Sequence, residues 1–186
     1  MASPLVPFSL MGWIEEHQDE FPKPVGNKVI WRDSEFIAFV SAANSRNDFH
    51  INPGDEIFVQ LKGDIRVDLQ IDGERVTNPV REGEILLVPA LVPHAPRRPE
   101  GTYGFIVERQ RREGELDGFA WHCEHCNERL HTASFHLVDI EKQFAQMLRD
   151  FDADEAARTC SNCGRVLNVY EEFTMDSQLL PDRSAS

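Results

Sequence analysis

Two histidines and one glutamate are the residues whose types and spacing could do chemistry. His50 and Glu56 flank a Pro-Gly turn in the stretch DFHINPGDEIFVQLKGD, and His94 follows the apolar run EILLVPA. Two imidazoles and one carboxylate on one side of an ion leave about three coordination positions free, which suits a non-haem ferrous centre. Taken singly, a histidine near a turn is more often a surface or hydrogen-bonded residue than a metal ligand. The three side chains can meet only if the sheet curls and brings neighbouring hairpins together.

The four cysteines form a second candidate site. They stand as two Cys-x-x-Cys pairs, Cys123 with Cys126 and Cys160 with Cys163. Two such loops can close a tetrahedral shell of four sulfurs, which leaves no open position and predicts a structural role. The spacing alone does not separate zinc from a single iron held as in rubredoxin. Disulfides or free thiols are the alternative, and His122 or His125 could replace a sulfur, although solvent-facing neighbours are the favoured interpretation for both.

The charge balance limits the possible partners. Nineteen Lys and Arg against 32 Asp and Glu give a net charge of -13, which repels nucleic acid and anionic membranes. An anionic substrate would therefore need a local group of arginines. The N-terminal stretch lacks a basic leader, and no apolar run approaches the roughly 18 residues of a membrane span. We expect a cytoplasmic protein without nucleic-acid or membrane partners, and in that reducing compartment cysteine pairs favour metal over disulfides.

Alternating apolar and polar residues predict a series of short strands. Gly63 and the pair Asp72-Gly73 break this series into hairpins, with no room for crossover helices, so the sheet should be antiparallel. A proline-rich stretch, LVPHAPRRPEG, is interpreted as a loop. Many short strands at this spacing favour a sandwich or a closed barrel. The candidate strands are KVIW, EFIAFV, EIFVQL, DIRVDLQID, GEILLVPA and YGFIVERQ.

The pattern changes near Gly114. The stretch DIEKQFAQMLRDF has apolar residues at helical spacing after a candidate cap at Asp139, and the two cysteine pairs bracket it. A shorter helix is predicted for residues 12–18. We therefore divide the chain into a β-barrel over residues 1–112 and a C-terminal metal-binding region over residues 113–186, which ends in a frayed tail, LPDRSAS.

Two spacings resemble the two sequence motifs of the cupin superfamily. They are His50-x5-Glu56-x6-Gly63 and Gly83-x5-Pro89-x4-His94. Many cupins carry a further histidine at the position of Asn52 and a glycine at the position of Leu91. The first departure favours a site of two histidines and one glutamate over a four-ligand site. The resemblance implies an antiparallel, jelly-roll-like cupin barrel, here with a small rubredoxin-like four-cysteine appendage that contains a helix.

The resemblance narrows to the 3-hydroxyanthranilate 3,4-dioxygenase family of the bacterial and fungal type, in register over residues 7–165. The segments that carry it are PVGN, RNDFH, DEIFVQLKG, VPHAPRRPEG, VERQR, LDGFAWHCEHC and CSNCG. Membership would imply a catalytic ferrous ion on His50, Glu56 and His94, and a second iron or a zinc on the cysteines. It would also imply ring opening of 3-hydroxyanthranilate by O2 to 2-amino-3-carboxymuconate semialdehyde, in tryptophan catabolism, by a homodimer.

The family would assign Arg46, Arg98 and Glu108 to the substrate, with the arginines on its ring and carboxylate and the glutamate on its amino or hydroxyl group. Arg98 lies four residues past His94, close enough for a guanidinium to pair with a carboxylate beside the metal. Glu108 interrupts an apolar strand, where a carboxylate is costly without a partner. The simpler alternatives are a surface Arg98, an outward-facing Glu108, and an Arg46 that pairs locally with Asp48.

Two other functions remain open at this stage. The chain could be a cupin dioxygenase for another aminophenol or catechol acid, with the same metal site. It could instead be a non-catalytic cupin or zinc-ribbon module whose cysteine site mediates protein contacts.

Overall fold

The computed structural model describes residues 5–21, 23–168 and 173–175. Three α-helices lie in this part of the chain, α1 (Leu10–Glu16), α2 (Ile140–Ala153) and α3 (Glu155–Arg158), and a short 3-10 helix spans Gln18–Glu20. The strands are β1 (Asn27–Trp31), β2 (Phe36–Ser41), β3 (Phe49–Ile51), β4 (Glu56–Lys62), β5 (Ile65–Ile71), β6 (Glu74–Val80), β7 (Ile85–Val88), β8 (His94–Arg97), β9 (Tyr103–Arg109), β10 (Asp117–His122) and β11 (Arg129–Phe135). Within the described ranges, no helix is long and apolar enough to cross a membrane.

The strands form two antiparallel sheets. One has the order β1-β2-β9-β4-β7, and the other has the order β11-β10-β3-β8-β5-β6. The main core contains Phe39 and Phe58 from the first sheet and Phe119 from the second, and helix α2 adds Phe144 and Leu148. This confirms the prediction of a mainly β, jelly-roll-like cupin fold, built as two sheets rather than as one closed barrel.

The inner faces of β4 and β9 place polar side chains inside the molecule. Alternation buries Glu56, Phe58 and Gln60 of β4, while Ile57 of the same strand is exposed. The register sets Glu56 opposite Glu108, Phe58 opposite Ile106 and Gln60 opposite Gly104. The apolar pair Phe58 and Ile106 thus separates the two carboxylates at one end from Gln60 and Gly104 at the other.

The interpretation of LVPHAPRRPEG as a loop was wrong for its centre. Residues His94–Arg97 form β8, which pairs with β5 on one side and meets β3 through His50 and His94 on the other. Pro96 biases this stretch against a strand because it has no N–H to donate. Pairing with β5 on one side and β3 on the other overrides that local bias, as tertiary context commonly does for short strands.

The residues after 113 are continuous with the β structure. Strand β10 pairs with β3, so the six-stranded sheet includes two strands from this region. Helix α2 begins as predicted, because the side chain of Asp139 accepts hydrogen bonds from the backbone N–H groups of Glu141 and Lys142. The division of the chain at residue 112 stays a prediction. The tail predicted for residues 180–186 lies outside the described residues.

Candidate metal centre and substrate pocket

The structure brings His50, Glu56 and His94 together in the interior. Their potential ligand atoms all lie within 4.8 Å of one another, and all three side chains are buried. Glu56 Oε2 is 3.1 Å from His94 Nε2 and 3.7 Å from His50 Nδ1. Each residue is held by a strand end: His50 in β3, Glu56 at the start of β4 and His94 at the start of β8. This set of two imidazoles and one carboxylate is suited to a divalent cation.

The electrostatics of the cluster also favour a cation. Burial would raise the pKa of Glu56, but His94, His50 and a hydrogen bond from Asn52 lower it to about 2. Glu56 therefore stays ionised while Glu108 faces it across the strands. Two buried carboxylates in such contact repel each other unless a positive charge or a proton intervenes. A dication on Glu56 and the two imidazoles would relieve that repulsion, so the residues fit a divalent metal.

Asn52 occupies the position where many cupins have another histidine, and it joins the two carboxylates. Its Nδ2 atom donates to Glu108 Oε2 at 2.6 Å and to Glu56 Oε2 at 3.3 Å. Its Oδ1 atom accepts from the backbone N–H of Gly54 at 2.8 Å, which fixes the orientation of the amide. The side chain is therefore occupied as a bridge between carboxylates and does not add a metal ligand.

Arg98 is a buried guanidinium without a carboxylate partner. It is 1% exposed, and its Nη1 donates to the neutral Gln60 Oε1 at 2.9 Å. Among the described residues, its Nε and Nη2 atoms have no hydrogen-bond partner. Burial lowers the pKa of Arg98 to about 9, and the charge of Glu56 opposes that shift. An uncompensated buried guanidinium is costly, so this group is prepared to receive an anion.

Gly104 leaves the space that the guanidinium of Arg98 occupies. A Cβ at this position would lie 2.6 Å from both Nη1 and Nη2 of Arg98. Any larger residue on this inner position of β9 would therefore push the guanidinium out of place. Gln60, the register partner of Gly104, holds it from the side.

Arg46 lies beside the cluster but has a strong local partner. Its guanidinium donates to both carboxylate oxygens of Asp48, with an Nε–Oδ1 distance of 2.7 Å, and it also lies 5.2 and 5.1 Å from the ring centres of Phe119 and Phe144. The local ion pair considered from the sequence is thus present. Arg46 nevertheless lines the same small cavity as the candidate ligands.

Glu108 lies between Asn52 and Arg111 on the inner face of β9. Its carboxylate accepts from Asn52, and its Oε1 atom is 2.9 Å from Arg111 Nη1. Burial and the nearby charge of Glu56 raise the pKa of Glu108 to about 8, while Arg111 opposes the shift. A carboxylate with such a pKa can hold or accept a proton near neutral pH.

Two neighbouring cavities adjoin these groups. The cavity at the three candidate ligands has a volume of about 20 Å³ and is covered by Ile140 and Phe144 of α2. A volume of that size holds about one water molecule. A second cavity of about 330 Å³ is lined by Arg98 and shares Asn44 with the first. An aromatic acid that reaches both Arg98 and the cluster therefore requires the wall between the cavities to move.

Sequence reasoning missed Asp117 and Arg111. Asp117 Oδ2 lies 2.7 Å from His50 Nε2, and Arg111 Nε donates to Asp117 Oδ1 at 2.7 Å. Burial would raise the pKa of Asp117, but Arg111 and His50 lower it, so the carboxylate stays ionised. Both residues lie in segments that carry the family resemblance. No spacing rule predicts their contact with His50, which depends on the pairing of β10 with β3.

The four cysteines converge as the sequence predicts. Sγ of Cys123 is 3.6 Å from that of Cys163, and Sγ of Cys126 is 3.5 Å from that of Cys160, distances that exclude a disulfide and fit ligands on one ion. A hydrogen bond from the backbone of Glu128 lowers the pKa of Cys126 to about 7.

Equivalent turns hold the two cysteine pairs. The N–H of Asn127 bonds to the carbonyl of Cys123, and the N–H of Gly164 bonds to that of Cys160, each from a residue with positive φ. His122 does not join the cluster, because its Nδ1 atom lies 3.0 Å from the carbonyl oxygen of Asn127. Among the described residues, the cluster consists of the four cysteines and includes neither His122 nor His125.

A two-sheet antiparallel fold that carries a buried cluster of two histidines and one glutamate, able to hold a metal ion, places the protein in the cupin class. Comparison with known proteins narrows this class. The sequence profile of the 3-hydroxyanthranilic acid dioxygenase family matches residues 3–152. The chain belongs to this family.

Curated relatives cover nearly the whole chain. A 3-hydroxyanthranilate 3,4-dioxygenase from Bacillus cereus (strain ATCC 10987 / NRS 248) is 43% identical over 169 residues, which are 90% of this chain and 94% of the relative. One of the same name from Xanthomonas campestris pv. campestris (strain 8004) is 41% identical over 90% of this chain and 95% of the relative. A solved cupin-2 domain protein from Shewanella frigidimarina NCIMB 400 overlaps with a TM-score of 0.42 and 18% identity, over 52% of this chain and 92% of that one.

Proposed function

We propose that the protein is a ring-cleaving dioxygenase that converts 3-hydroxyanthranilate and O2 to 2-amino-3-carboxymuconate semialdehyde. Family membership and the names of the curated relatives support this activity. The observation that carries it is Arg98, a buried guanidinium without a carboxylate partner in the described chain, in a cavity adjoining the candidate metal ligands. The substrate carboxylate supplies the missing anion, which also explains how a protein of charge -13 can bind an acid.

In this proposal His50, Glu56 and His94 hold a ferrous ion. That ion would supply the electron transfer between the electron-rich ring and dioxygen, chemistry that amino-acid side chains do not provide. The residues contribute a site with one fixed negative charge and two neutral imidazole donors, which leaves room for the two substrates. Burial of the cluster under α2 excludes bulk water from it.

The remaining residues position the substrate and its protons. Arg98 pairs with the carboxylate through a planar fork, and Arg46 lines the small cavity beside the three candidate ligands. Glu108, with its pKa of about 8, accepts a proton from the hydroxyl or amino group of the ring. Asn52 keeps Glu108 and Glu56 in fixed relation through its amide.

The cysteine site is assigned a structural role with iron or zinc, because four sulfurs leave no position for a substrate. Thiols that serve as metal ligands are at home in a reducing compartment, which agrees with the proposed cytoplasmic location. The homodimer expected from the family stays a prediction.

The direct test measures oxygen uptake by protein loaded with Fe(II) without air. Uptake equal to the amount of added 3-hydroxyanthranilate, with formation of the semialdehyde, is the expected result. For the substrate contact, Arg98→Met should lower kcat/KM by about 10- to 100-fold, the loss typical of charge-assisted hydrogen bonds. The same variant should treat 2-aminophenol, which lacks the carboxylate, as the wild type does.

The alternatives give different results in the same assay. A dioxygenase for another aminophenol or catechol acid would take up oxygen with that acid and not with 3-hydroxyanthranilate. A non-catalytic module would bind zinc at the cysteines, show no affinity for ferrous ion at His50 and His94, and consume no oxygen. Absence of turnover with fully loaded protein would refute the proposed activity.

A further inference from the structure

A chain of buried charges connects the proposed substrate glutamate with a candidate metal ligand. Arg111 lies 2.9 Å from Glu108 through Nη1 and donates to Asp117 through Nε at 2.7 Å. Asp117 in turn lies 2.7 Å from Nε2 of His50. The side chains of Asp117 and Glu108 are 0% exposed and that of Arg111 is 7% exposed, so solvent does not compete for these contacts.

The register of β3 and β10 creates the contact with His50. Phe119 is the direct partner of His50, and Asp117, two residues earlier, points to the same face of β10. Asp117 therefore approaches His50 diagonally, from the side away from Glu56. Because an ionised carboxylate only accepts hydrogen bonds, it selects the imidazole form that carries its proton on Nε2.

The two histidines consequently present different nitrogens to the cluster. In His50, Nε2 is engaged by Asp117, which leaves Nδ1 facing Glu56 at 3.7 Å. In His94, Nδ1 donates to the carbonyl of Val92 at 2.9 Å, which leaves Nε2 facing Glu56 at 3.1 Å. A backbone carbonyl fixes one ring and a side-chain carboxylate fixes the other, so a substitution can change only the second.

We propose that Asp117, held by Arg111, is the positioning residue that makes Nδ1 the metal-binding nitrogen of His50. This inference rests on the proposed metal site at His50, Glu56 and His94, and it does not depend on the identity of the aromatic substrate. Such carboxylate partners orient ligand imidazoles, and their loss typically lowers metal affinity by about 10- to 100-fold.

Asparagine cannot replace Asp117 in this arrangement. Both oxygens are in use, Oδ1 by Arg111 and Oδ2 by His50 and Arg111. An asparagine that turns its oxygen to His50 points its NH2 at the N–H of Arg111. The reverse orientation points the NH2 at His50 and selects the proton on Nδ1, the side that must face the metal.

Asp68 offers a matched control. It is also 0% exposed, lies in the same sheet and accepts hydrogen bonds from Arg66 and Thr77. It also forms an ion pair with Arg97 at 3.5 Å, and its side-chain partners in the described residues are therefore not the three candidate ligands. Asp68→Asn should therefore lower stability as a buried ion pair does, without changing the affinity of the metal site.

The first measurement is an anaerobic Co(II) titration of protein whose cysteine site already holds Zn(II), followed by visible absorbance. We expect Asp117→Asn to bind Co(II) about 10- to 100-fold more weakly than the wild type, and Asp68→Asn to bind like the wild type. Arg111→Lys, which keeps the charge but loses the fork, should weaken binding less than Asp117→Asn. Wild-type affinity in both Asp117→Asn and Arg111→Lys would overturn the inference.

The second measurement needs no variant. In 15N-histidine-labelled, Zn(II)-loaded wild-type protein, long-range 1H–15N correlation reports which nitrogen of His50 carries the proton. A proton on Nε2 is expected, and a proton on Nδ1 would overturn the inference even if Asp117→Asn fails to fold. If the wild type with Zn(II) at its cysteines binds no Co(II), the metal assignment itself is refuted together with this inference. If the wild type binds Co(II) and the variants bind it equally well, this inference alone is refuted.

Discussion

Several charged side chains in the pocket lie close to a like charge or lack an opposite one. Glu56 and Glu108 face each other across two strands, and Arg98 lies buried with a neutral glutamine. Glu108 has Arg111 as a partner and Glu56 has His94, so Arg98 is the group without an opposite charge. Leaving one partner of a buried ion pair uncompensated costs on the order of 3–5 kcal/mol, so a core selected for stability alone would not keep Arg98. The two carboxylates on β4 and β9, together with the unpaired Arg98 directly after β8, therefore indicate a site that is completed by a cation at one end and an anion at the other.

The first prediction concerns Gly104. Gly104→Ala places a methyl group 2.6 Å from both terminal nitrogens of Arg98, so the guanidinium must leave its seat. We expect KM for 3-hydroxyanthranilate to rise by about tenfold or more, since one charge-assisted contact is worth about 1.5–3 kcal/mol. Steady-state kinetics at saturating O2 measures this change.

Gly54→Ala is the matched control for that variant. A Cβ there would lie 2.9 Å from the Nε atom of Arg109, an arginine that pairs with Glu115 outside the pocket. Alanine keeps the backbone N–H that bonds to Asn52 Oδ1, so the amide between the two carboxylates stays in place. KM should stay close to the wild-type value. Equal effects of the two substitutions would show that general strain, and not displacement of Arg98, changes the kinetics.

The residue types in the site were predictable, and the contacts between them were only partly so. Motif spacing identified His50, Glu56 and His94 because the motifs mark strand ends that face inward. The roles of Asn52 and Asp117 depend on which strands become neighbours, β3 with β10 and β4 with β9. Such pairing joins residues that are far apart in sequence, so it cannot be predicted from local sequence patterns.

Among the structural elements, the turn between β7 and β8 holds a leucine in a left-handed backbone conformation. Leu91 adopts φ 66° and is 64% exposed, at the position where many cupins have glycine. Its backbone N–H bonds to the carbonyl of Asn52 at 2.8 Å, so the turn is tied to the residue between the carboxylates. A left-handed backbone costs a residue with a Cβ about 1–2 kcal/mol.

The second prediction is that Leu91→Gly stabilises the protein. Relief of the left-handed strain, less the greater entropy of glycine in the unfolded chain, gives an expected gain of about 0.5–1 kcal/mol in the free energy of unfolding. Denaturation by urea measures it. Leu91→Ala keeps the Cβ and should bring no gain, so equal stability of the Gly and Ala variants would contradict the argument.

Strand prediction succeeded where alternation was regular and failed where it was not. The strands β4, β5 and β9 have alternating sequences bounded by turn residues, and the sequence analysis found them. Strand β8 contains a proline, and the prediction treated it as a loop. It is a strand because it pairs with β5, so its prediction requires knowledge of the strand order in the sheet.

At the scale of the whole molecule, β10 joins the two candidate metal sites. The strand begins at Asp117, beside His50, and Cys123 follows its last residue. The other cysteine pair follows α3, so the chain runs from the first sulfur pair through β11 and α2 back to the second. A metal on the four sulfurs therefore closes a loop around α2, the helix whose Ile140 and Phe144 cover the pocket.

The third prediction follows from this closure. Cys163→Ser removes one sulfur ligand and should lower the melting temperature by roughly 4–8 °C if the loss is about 2 kcal/mol. Activity per bound ferrous ion should remain measurable, because no sulfur contacts the proposed active site among the described residues. Scanning calorimetry and metal analysis give both values. Complete loss of turnover in folded protein would mean that the sulfur site takes part in catalysis.

The short contact between His94 and Glu56 has a consequence for metal uptake. The charge of Glu56 raises the pKa of His94 against the effect of burial, which favours a proton on the imidazole nitrogen that faces Glu56 at 3.1 Å. A cation that binds both groups must displace this proton, because only a neutral imidazole can be a ligand. Metal binding therefore releases a proton. The affinity for the metal should rise with pH, and loading the site should lower the pH of an unbuffered solution.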